Sequence, residues 1–252
     1  MVDFNLTDEQ LALQDTARKF AQSEMIPQAA HFDQTGEFPQ KIIEKAWQAG
    51  LLNEQIPEEF GGAGLDTLST CVLVEELAAG CSGMTTSMMV NTLGQTPVLV
   101  GGTKEQIEKH IVPFIKEFRY CAFALTEPSS GSDAANMQTT VKKAGDKYIL
   151  NGRKCFITNG GVADLFTTFG TLDASKGYKA ICAFVVDAKT PGVSAGKKED
   201  KMGQRASNTT DVIFEDAEIP AENMLGAEGQ GFGVGFLGAN AENGGDGFIC
   251  QC

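Results

Sequence analysis

The sequence predicts an α+β fold, in which an all-helical N-terminal block of about 118 residues is followed by about 110 residues of short strands. Up to residue 118, apolar residues recur every three or four positions behind helix-capping residues. From Tyr120 onward, apolar residues alternate in short runs that turn residues separate. Helices and strands that occupy separate blocks favour two domains over an alternating parallel sheet.

The first helices are marked by their boundary residues. Thr7 and Gln10 have the spacing of a capping box at the start of a helix. Pro27 predicts a break or kink near the end of that helix. Pro39 then opens a second helix, which Gly50 stops.

Three further helices complete the N-terminal block. Asp66 is predicted to cap a helix, and another helix is expected from Met84 to Leu93. Thr103 and Gln106 form a second capping-box pattern, in a helix that Pro113 is expected to end. The predicted buried stripe of the helix after Asp66 consists of Leu68, Cys71, Val72 and Leu77.

Seven short strands are predicted after residue 118, and their number favours a compact β-barrel or sandwich. Asn151 and Gly152, between two apolar runs, predict a two-residue hairpin. The predicted strands cover residues 120–125, 137–143, 147–151, 153–158, 165–171, 179–187 and 211–218.

Composition excludes several classes of function. The chain has 33 acidic and 20 basic residues, a net charge of −13, which argues against a nucleic-acid partner. No apolar run reaches the roughly 18 residues that a transmembrane helix needs, and the N-terminus resembles neither a signal nor a transit peptide. Seven scattered cysteines are typical of free thiols, and two histidines offer little for a metal site or a triad.

Two polar turns follow apolar runs at matching points. The run from Cys121 to Leu125 leads into Thr126, Glu127 and a loop of small residues at 129–133. Such a loop gathers N–H and O–H groups that suit a phosphate or another polar cofactor group, although these residues taken alone favour an ordinary turn. The run at 155–157 ends in the same way, with residues 158–161 reading Thr-Asn-Gly-Gly.

These segments together resemble the acyl-CoA dehydrogenase family, and its medium-chain members most closely. The resemblance rests on Thr-Glu-Pro-Ser-Ser-Gly-Ser-Asp at 126–133, Phe-Ile-Thr-Asn-Gly-Gly at 156–161 and Met-Gly-Gln-Arg at 202–205, and it extends from about Phe4 to Phe232. It implies an N-terminal helical domain at 1–118 and a middle β-domain at 119–232. The family's C-terminal four-helix domain would then be missing.

The residues at 233–252 depart from the family pattern. Six glycines in these twenty residues disfavour a helix, at about 0.8–1 kcal/mol each relative to alanine. We expect a truncated or frame-shifted product. A natural short form with a flexible tail is the alternative.

The resemblance implies an FAD-dependent enzyme that converts fatty acyl-CoA to trans-2-enoyl-CoA, by α-proton abstraction with hydride transfer to flavin N5. It places the catalytic base, a glutamate, in the missing C-terminal domain, so no catalytic residue is expected in this chain and Glu127 is assigned to structure. Substrate contacts are implied at Ser132, at Met89 and at Tyr178 in the polar turn 175–179. The implied FAD-binding residues are Phe123, Ala124, Leu125, Thr126, Ser132, Phe156, Ile157 and Thr158.

The resemblance also implies partners and a location, and two alternative functions remain open. The resemblance implies an electron-transfer flavoprotein as electron acceptor and a homotetramer, whose assembly is doubtful for this chain. It implies the mitochondrial matrix in a eukaryote or the cytoplasm in a bacterium. A non-catalytic flavin-binding module is one alternative. A related acyl-CoA oxidase, branched-chain or glutaryl-CoA flavoenzyme is the other.

Overall fold

The computed structural model describes residues 5–236. The chain divides into two compact units, each of which contains two stretches of sequence. The first unit consists of Met1–Thr92 with Asp200–Ser207, and the second consists of Leu93–Glu199 with Asn208–Cys252. The predicted tail, apart from residues 233–236, lies outside the described residues.

Helices build the first unit. The capping box is confirmed, because the Thr7 hydroxyl accepts the Gln10 N–H at 3.2 Å and the Gln10 side chain accepts the Thr7 N–H at 3.1 Å. This reciprocal pair satisfies two of the donors that a helix start leaves free. The helical segments are α1 (Asp8–Phe20), a π-helical turn (Ala21–Met25), α2 (Ile26–Thr35), α3 (Gln40–Gln48) and α4 (Thr67–Gly101), the last of which continues into the second unit.

The interruption predicted at Pro27 is present as a π-helical turn between α1 and α2, but the helix does not end near this residue. The π-helical turn Ala21–Met25 precedes it, and Pro27 lies in the first turn of α2. A proline is tolerated there because the first N–H groups of a helix have no carbonyl partner to lose. The helix ends instead at Gly36, whose φ of 67° is the left-handed conformation typical of a helix C-terminus.

Asp66 caps α4 as predicted, because its carboxylate accepts the Ser69 N–H at 2.7 Å. The helix predicted after Asp66 and the helix predicted from Met84 to Leu93 form one element, α4, which extended backbone at Cys81 interrupts. The predicted stripe is half wrong: Val72 and Leu77 are buried, whereas Leu68 and Cys71 are exposed. The packed face is rotated by about one residue, and its fully buried members are Leu73, Leu77, Met84 and Met88.

Two short helices open the part of the second unit that precedes the sheet. The capping box of Thr103 and Gln106 is confirmed at the start of α5 (Lys104–His110). Pro113 does not end a helix but begins the next one, α6 (Pro113–Lys116), where its fixed φ suits a first turn.

Within the described residues of the second unit, eight strands form one mixed sheet. The order is β6-β7-β3-β2-β4-β5-β8, with β1 parallel to β4 and the β2–β4 pair also parallel. The predicted order of a helical domain and then a β-domain is therefore confirmed. The strands are β1 (Cys121–Ala124), β2 (Thr140–Ala144), β3 (Lys147–Thr158), β4 (Leu165–Thr171), β5 (Ile181–Asp187), β6 (Val193–Ala195), β7 (Thr209–Pro220) and β8 (Met224–Leu225).

The predicted hairpin at Asn151 and Gly152 is wrong. Both residues lie inside β3, which runs unbroken beside β7 with a register shift between Leu150 and Gly152. The turn that joins β2 to β3 comes earlier, with Gly145 at φ 66°. The long partner strand explains the difference, because pairing with β7 offers hydrogen bonds on both sides of the dipeptide and overrides its turn preference.

The inner face of the sheet carries an apolar core. Tyr148 and Leu150 of β3 pack with Phe184 of β5 and Phe214 of β7, and all four are buried. Beyond the strands, the short helix α7 (Gly231–Phe236) follows β8. The core thus fixes the strand ends, from which the candidate site projects.

Candidate functional site

The candidate site begins where the end of β1 meets β3. The Cys155 N–H donates to the Thr126 carbonyl oxygen at 2.8 Å, two residues beyond the last residue of β1. On its other side β1 pairs with β4, and the Thr168 hydroxyl donates to the Ala124 carbonyl at 3.0 Å. The first polar turn therefore starts beside the part of β3 that leads into the second polar turn.

A β-bulge gives Phe156 an unusual position. Between Lys154 and Ile157, β3 contains one residue more than the paired stretch of β7. Phe156 lies in this bulge with φ 58°, a conformation rare for a bulky residue, and 65% of its surface is exposed. An exposed aromatic ring on a bulged strand offers a flat apolar surface to a ligand.

The loop after Thr126 is anchored by a buried carboxylate. Glu127 accepts the backbone N–H groups of Gln138 and of Thr139, the latter at 3.0 Å. It also accepts from the ammonium group of Lys154 at 2.7 Å. The assignment of Glu127 to structure fits these contacts, since both carboxylate oxygens are already engaged.

Sequence reasoning missed Lys154 and Asn208. Lys154 is wholly buried in the middle of β3, and a lysine inside an apolar strand was the available signal. Asn208 precedes β7 and accepts the Gly161 N–H on its side-chain oxygen at 2.9 Å and the Asn159 N–H on its carbonyl at 2.8 Å. These two bonds hold the turn that follows Thr158.

The predicted cofactor residues differ in what they present. Ala124 and Ile157 are buried, so neither presents its side chain to a ligand. Phe123 is half-buried beside Phe169, with ring centroids 5.2 Å apart, and Leu125 is also half-buried. Hydroxyl groups that have no hydrogen-bond partner within residues 5–236 belong to Thr126, Ser132 and Thr158.

The predicted substrate residues are spread over both units. Ser132 is exposed in the loop at 129–133, and Tyr178 is 53% exposed with its ring 5.7 Å from that of Phe232. The short helical turns Ala134–Asn136 and Ala174–Ala180 lie side by side, which brings the segment after Ser132 close to the segment of Tyr178. Met89 is half-buried in the first unit.

The site contains one buried ion pair, Glu127 with Lys154, next to the uncharged thiol of Cys155. Burial raises the pKa of the Cys155 thiol, so the thiol stays protonated at neutral pH. The next pair along, Arg153 and Asp211, lies 2.5 Å apart on the more exposed face of β3. Burial lowers the pKa of Lys154 to about 8, against the attraction of Glu127.

A cavity of about 550 Å³ elsewhere in the second unit contains none of the predicted site residues. Charged side chains of both signs line it together with aromatic ones, and two of its cations already pair, Lys109 with Glu222 and Arg119 with Glu117.

Among residues 5–236 no three His, Cys, Asp or Glu side chains gather as metal ligands, and none of the helices there is long and apolar enough to cross a membrane.

Two family models match the chain, one after the other along the sequence. Residues 7–117 match the acyl-CoA dehydrogenase N-terminal domain, and residues 122–217 match the acyl-CoA dehydrogenase middle domain. The chain belongs to the acyl-CoA dehydrogenase family. The family predicted from the polar turns is thereby confirmed, and residues after 217 fall outside both matches.

Curated relatives carry two chain-length names. The chain is 43% identical over 234 residues to a short-chain specific acyl-CoA dehydrogenase of Clostridium acetobutylicum, covering 92% of this chain and 62% of that one. It is 42% identical over 236 residues to a probable medium-chain specific acyl-CoA dehydrogenase of Caenorhabditis briggsae, covering 92% and 58%. The chain therefore spans about three fifths of the length of these relatives.

Solved structures share the fold. Butyryl-CoA dehydrogenase from Megasphaera elsdenii superposes with a TM-score of 0.88 at 40% identity, over 92% of this chain and 62% of that one. A glutaryl-CoA dehydrogenase from Mycobacterium smegmatis, solved in complex with FADH2, gives 0.82 at 29% identity, over 92% and 58%. Both structures therefore share the fold of this chain over more than nine tenths of its length.

Proposed function

We propose that this chain carries the flavin-binding part of an FAD-dependent dehydrogenase that oxidises fatty acyl-CoA to trans-2-enoyl-CoA. The observation that carries the proposal is the bond between Cys155 and Thr126, which joins the end of β1 to the bulge of Phe156. This hydrogen bond places unpaired hydroxyl groups and an exposed aromatic ring along neighbouring strand ends. The family match and the relative in complex with FADH2 support the same cofactor.

The side chains at this edge fit a flavin. A flavin ring is flat and carries hydrogen-bonding atoms along its rim, so it needs an apolar face and small polar partners. Phe156 supplies the face, and the hydroxyl groups of Thr126 and Thr158 supply partners. When bound, FAD would accept the hydride that leaves the β-carbon of the thioester. The residues of this chain would hold the ring edge and keep water away from it.

We propose that the catalytic base comes from the family's C-terminal domain. Glu127 is unsuitable because it is only 4% exposed and already accepts three hydrogen bonds. A general base must be free to take a proton from the substrate. We therefore propose that the 252-residue chain binds flavin and has no dehydrogenase turnover by itself.

The finer assignments follow the relatives. We propose a short or medium straight-chain acyl-CoA as the substrate class, since relatives with both names match equally well. For the whole protein we propose an electron-transfer flavoprotein as electron acceptor and a homotetrameric assembly. The location would be the mitochondrial matrix in a eukaryote and the cytoplasm in a bacterium.

The proposal is tested by adding FAD to the purified 252-residue chain, desalting it and recording the visible spectrum. We expect a flavin band near one equivalent. Butyryl-CoA or octanoyl-CoA added under anaerobic conditions should then not bleach that band, because the proposed catalytic base belongs to the C-terminal domain. A retained and bleached band would contradict the proposed lack of turnover, whereas loss of all flavin from a folded chain would contradict the binding site.

A further inference from the structure

Lys154 and Glu127 form an ion pair inside the protein. Lys154 is 0% exposed and Glu127 is 4% exposed, with the ammonium nitrogen 2.7 Å from the carboxylate oxygen. Removing two charges from water is costly, and a buried ion pair is by itself weak evidence for stability. Two apolar side chains of similar size would fill the same space without that cost. The pair therefore calls for a role that apolar residues cannot supply.

The carboxylate organises the loop on one side of the pair. Besides Lys154, it holds the backbone N–H groups of Gln138 and Thr139, which lead into β2. The backbone of Glu127 itself bonds to Ser130 in both directions, at 2.9 and 3.1 Å. A directional acceptor thus fixes both the turn that follows Thr126 and the strand that comes after it.

The ammonium group fixes the bulge on the other side. Lys154 is the last residue of β3 in regular register with β7 before the extra residue. The next residue, Cys155, donates its N–H to Thr126, and Phe156 follows in the left-handed conformation. Such a conformation is strained and persists only where surrounding contacts impose it. The ion pair of Lys154 with Glu127 and the hydrogen bond from Cys155 to Thr126 are two such contacts, and both lie directly before Phe156 in the chain.

We propose that Glu127 and Lys154 are a positioning pair, which locks the Thr126 turn against the Phe156 bulge and thereby sets the affinity of the site for flavin. The inference rests on the proposed flavin-binding function. The pair would act through Thr126 and Phe156 and would not touch the cofactor. Charge matters in this role because the carboxylate must hold two backbone donors and the ammonium group together.

The charge state of the pair gives the role a pH signature. Burial lowers the pKa of Lys154 to about 8, and the nearby carboxylate opposes that change. Burial raises the pKa of Glu127, but the ammonium group and the backbone donors outweigh it, so the net pKa is lowered. Cys155 is the other titratable neighbour of Lys154, and burial raises its pKa, so it stays neutral. The pair is therefore ionised at pH 7 and loses its cation in the range around pH 8.

The experiment measures FAD dissociation constants of the 252-residue chain by flavin fluorescence between pH 6.5 and 9.5. For the wild type we expect the constant to rise at least tenfold across this range, with a midpoint near 8. The double variant Glu127→Gln/Lys154→Met should bind at least tenfold more weakly at pH 7, with a flat pH profile. Far-UV circular dichroism and the visible circular dichroism of bound flavin report whether the fold survives and whether the ring environment changes.

A matched control lies on the same two strands. Lys147 and Glu218 pair across β3 and β7 at 2.6 Å but are exposed, so Lys147→Met/Glu218→Gln should bind FAD within twofold of wild type and keep its pH profile. A buried double variant that matches wild type in affinity and pH profile would overturn the positioning role. If that variant fails to fold, the wild-type pH profile still decides, and a flat one rejects the proposal. Failure of the wild type to bind FAD at all would instead reject the flavin-binding function.

Discussion

Asn151 and Asp216 bond to each other twice across β3 and β7. The Asn151 side-chain nitrogen donates to the Asp216 carboxylate at 2.9 Å, and the Asp216 N–H donates to the Asn151 side-chain oxygen at 2.8 Å. Asp216 has φ 49°, and the register of the two strands shifts beside it. The amide of the Asn-Gly dipeptide therefore stabilises an irregularity in a continuous strand pair, where the sequence predicted a chain reversal.

We expect Gly152→Ala to destabilise the fold by about 1–3 kcal/mol, as overpacking in a core does. A Cβ atom at Gly152 would lie only 2.8 Å from the Cα of Thr139, whereas one at Gly131 would have no atom within 4 Å. Gly131→Ala therefore serves as the control, with a change near zero. Urea unfolding of both variants measures the difference. Equal midpoints would show that the backbone at Thr139 moves aside freely.

Replacing Phe156 should weaken FAD binding with little effect on stability. The ring is 65% exposed, so Phe156→Ala loses little buried surface in the free protein. Aromatic stacking contributes about 0.5–1.5 kcal/mol, so we expect a roughly two- to twelvefold rise in the FAD dissociation constant, and Phe156→Trp should lower it. Fluorescence titration measures both. Met202→Ala, at a fully exposed apolar residue of the first unit, is the control. Unchanged affinity in Phe156→Ala would remove this ring from the site.

Glu54 is a buried acid whose charge opposes folding. Burial raises the pKa of this carboxyl, although hydrogen bonds from its own backbone and from the Thr92 hydroxyl counteract the effect. When the pKa of a group is higher in the folded state than in the unfolded state, its contribution to stability is complete below the unfolded pKa, here about 4.5. That contribution is lost as pH rises through the folded-state pKa. We therefore expect Glu54→Gln to be more stable than wild type at pH 7 and equal to it near pH 4. Thermal melts across this range test the sign. A variant less stable at pH 7 would contradict it.

His110 should make the fold acid-sensitive. Burial lowers its pKa, Lys109 lowers it further, and Asn223, Glu222 and Asp187 oppose them. A depressed folded-state pKa gives stability that is present above the unfolded value of about 6.5 and is lost as pH falls through the folded pKa. We expect His110→Gln to flatten the loss of stability between pH 7 and 5. His31→Gln, at an exposed histidine, controls for loss of an imidazole. Parallel curves for His110→Gln and wild type would reject the prediction.

Local signals in the sequence predicted local structure well. Both capping boxes form because the partners, Thr7 with Gln10 and Thr103 with Gln106, are three residues apart and need no distant contact. The hairpin prediction failed because β7 lies about sixty residues further along the chain, and single-segment reasoning cannot weigh its hydrogen bonds.

The candidate site was predictable only in part. The polar turns at 126–133 and 156–161 were found from their residue types, and the strand ends do bring Thr126 beside Cys155. The bulge that exposes Phe156 was not predictable, because it depends on register against another strand. The partnership of Glu127 with Lys154 joins residues 27 positions apart, and nothing in either segment alone announces it.

The segment Asp200–Ser207 belongs to the first unit, although strands of the second unit flank it. Its Arg205 N–H donates to Asp33 at 3.0 Å, and its Gln204 side chain accepts from Thr86 at 3.2 Å. During synthesis, the helical unit therefore stays incomplete until residue 207 has left the ribosome, by which time β1 to β6 have emerged. The two units cannot mature one after the other from the N-terminus, and a proteolytic cut near residue 92 would release a helical fragment without its last segment.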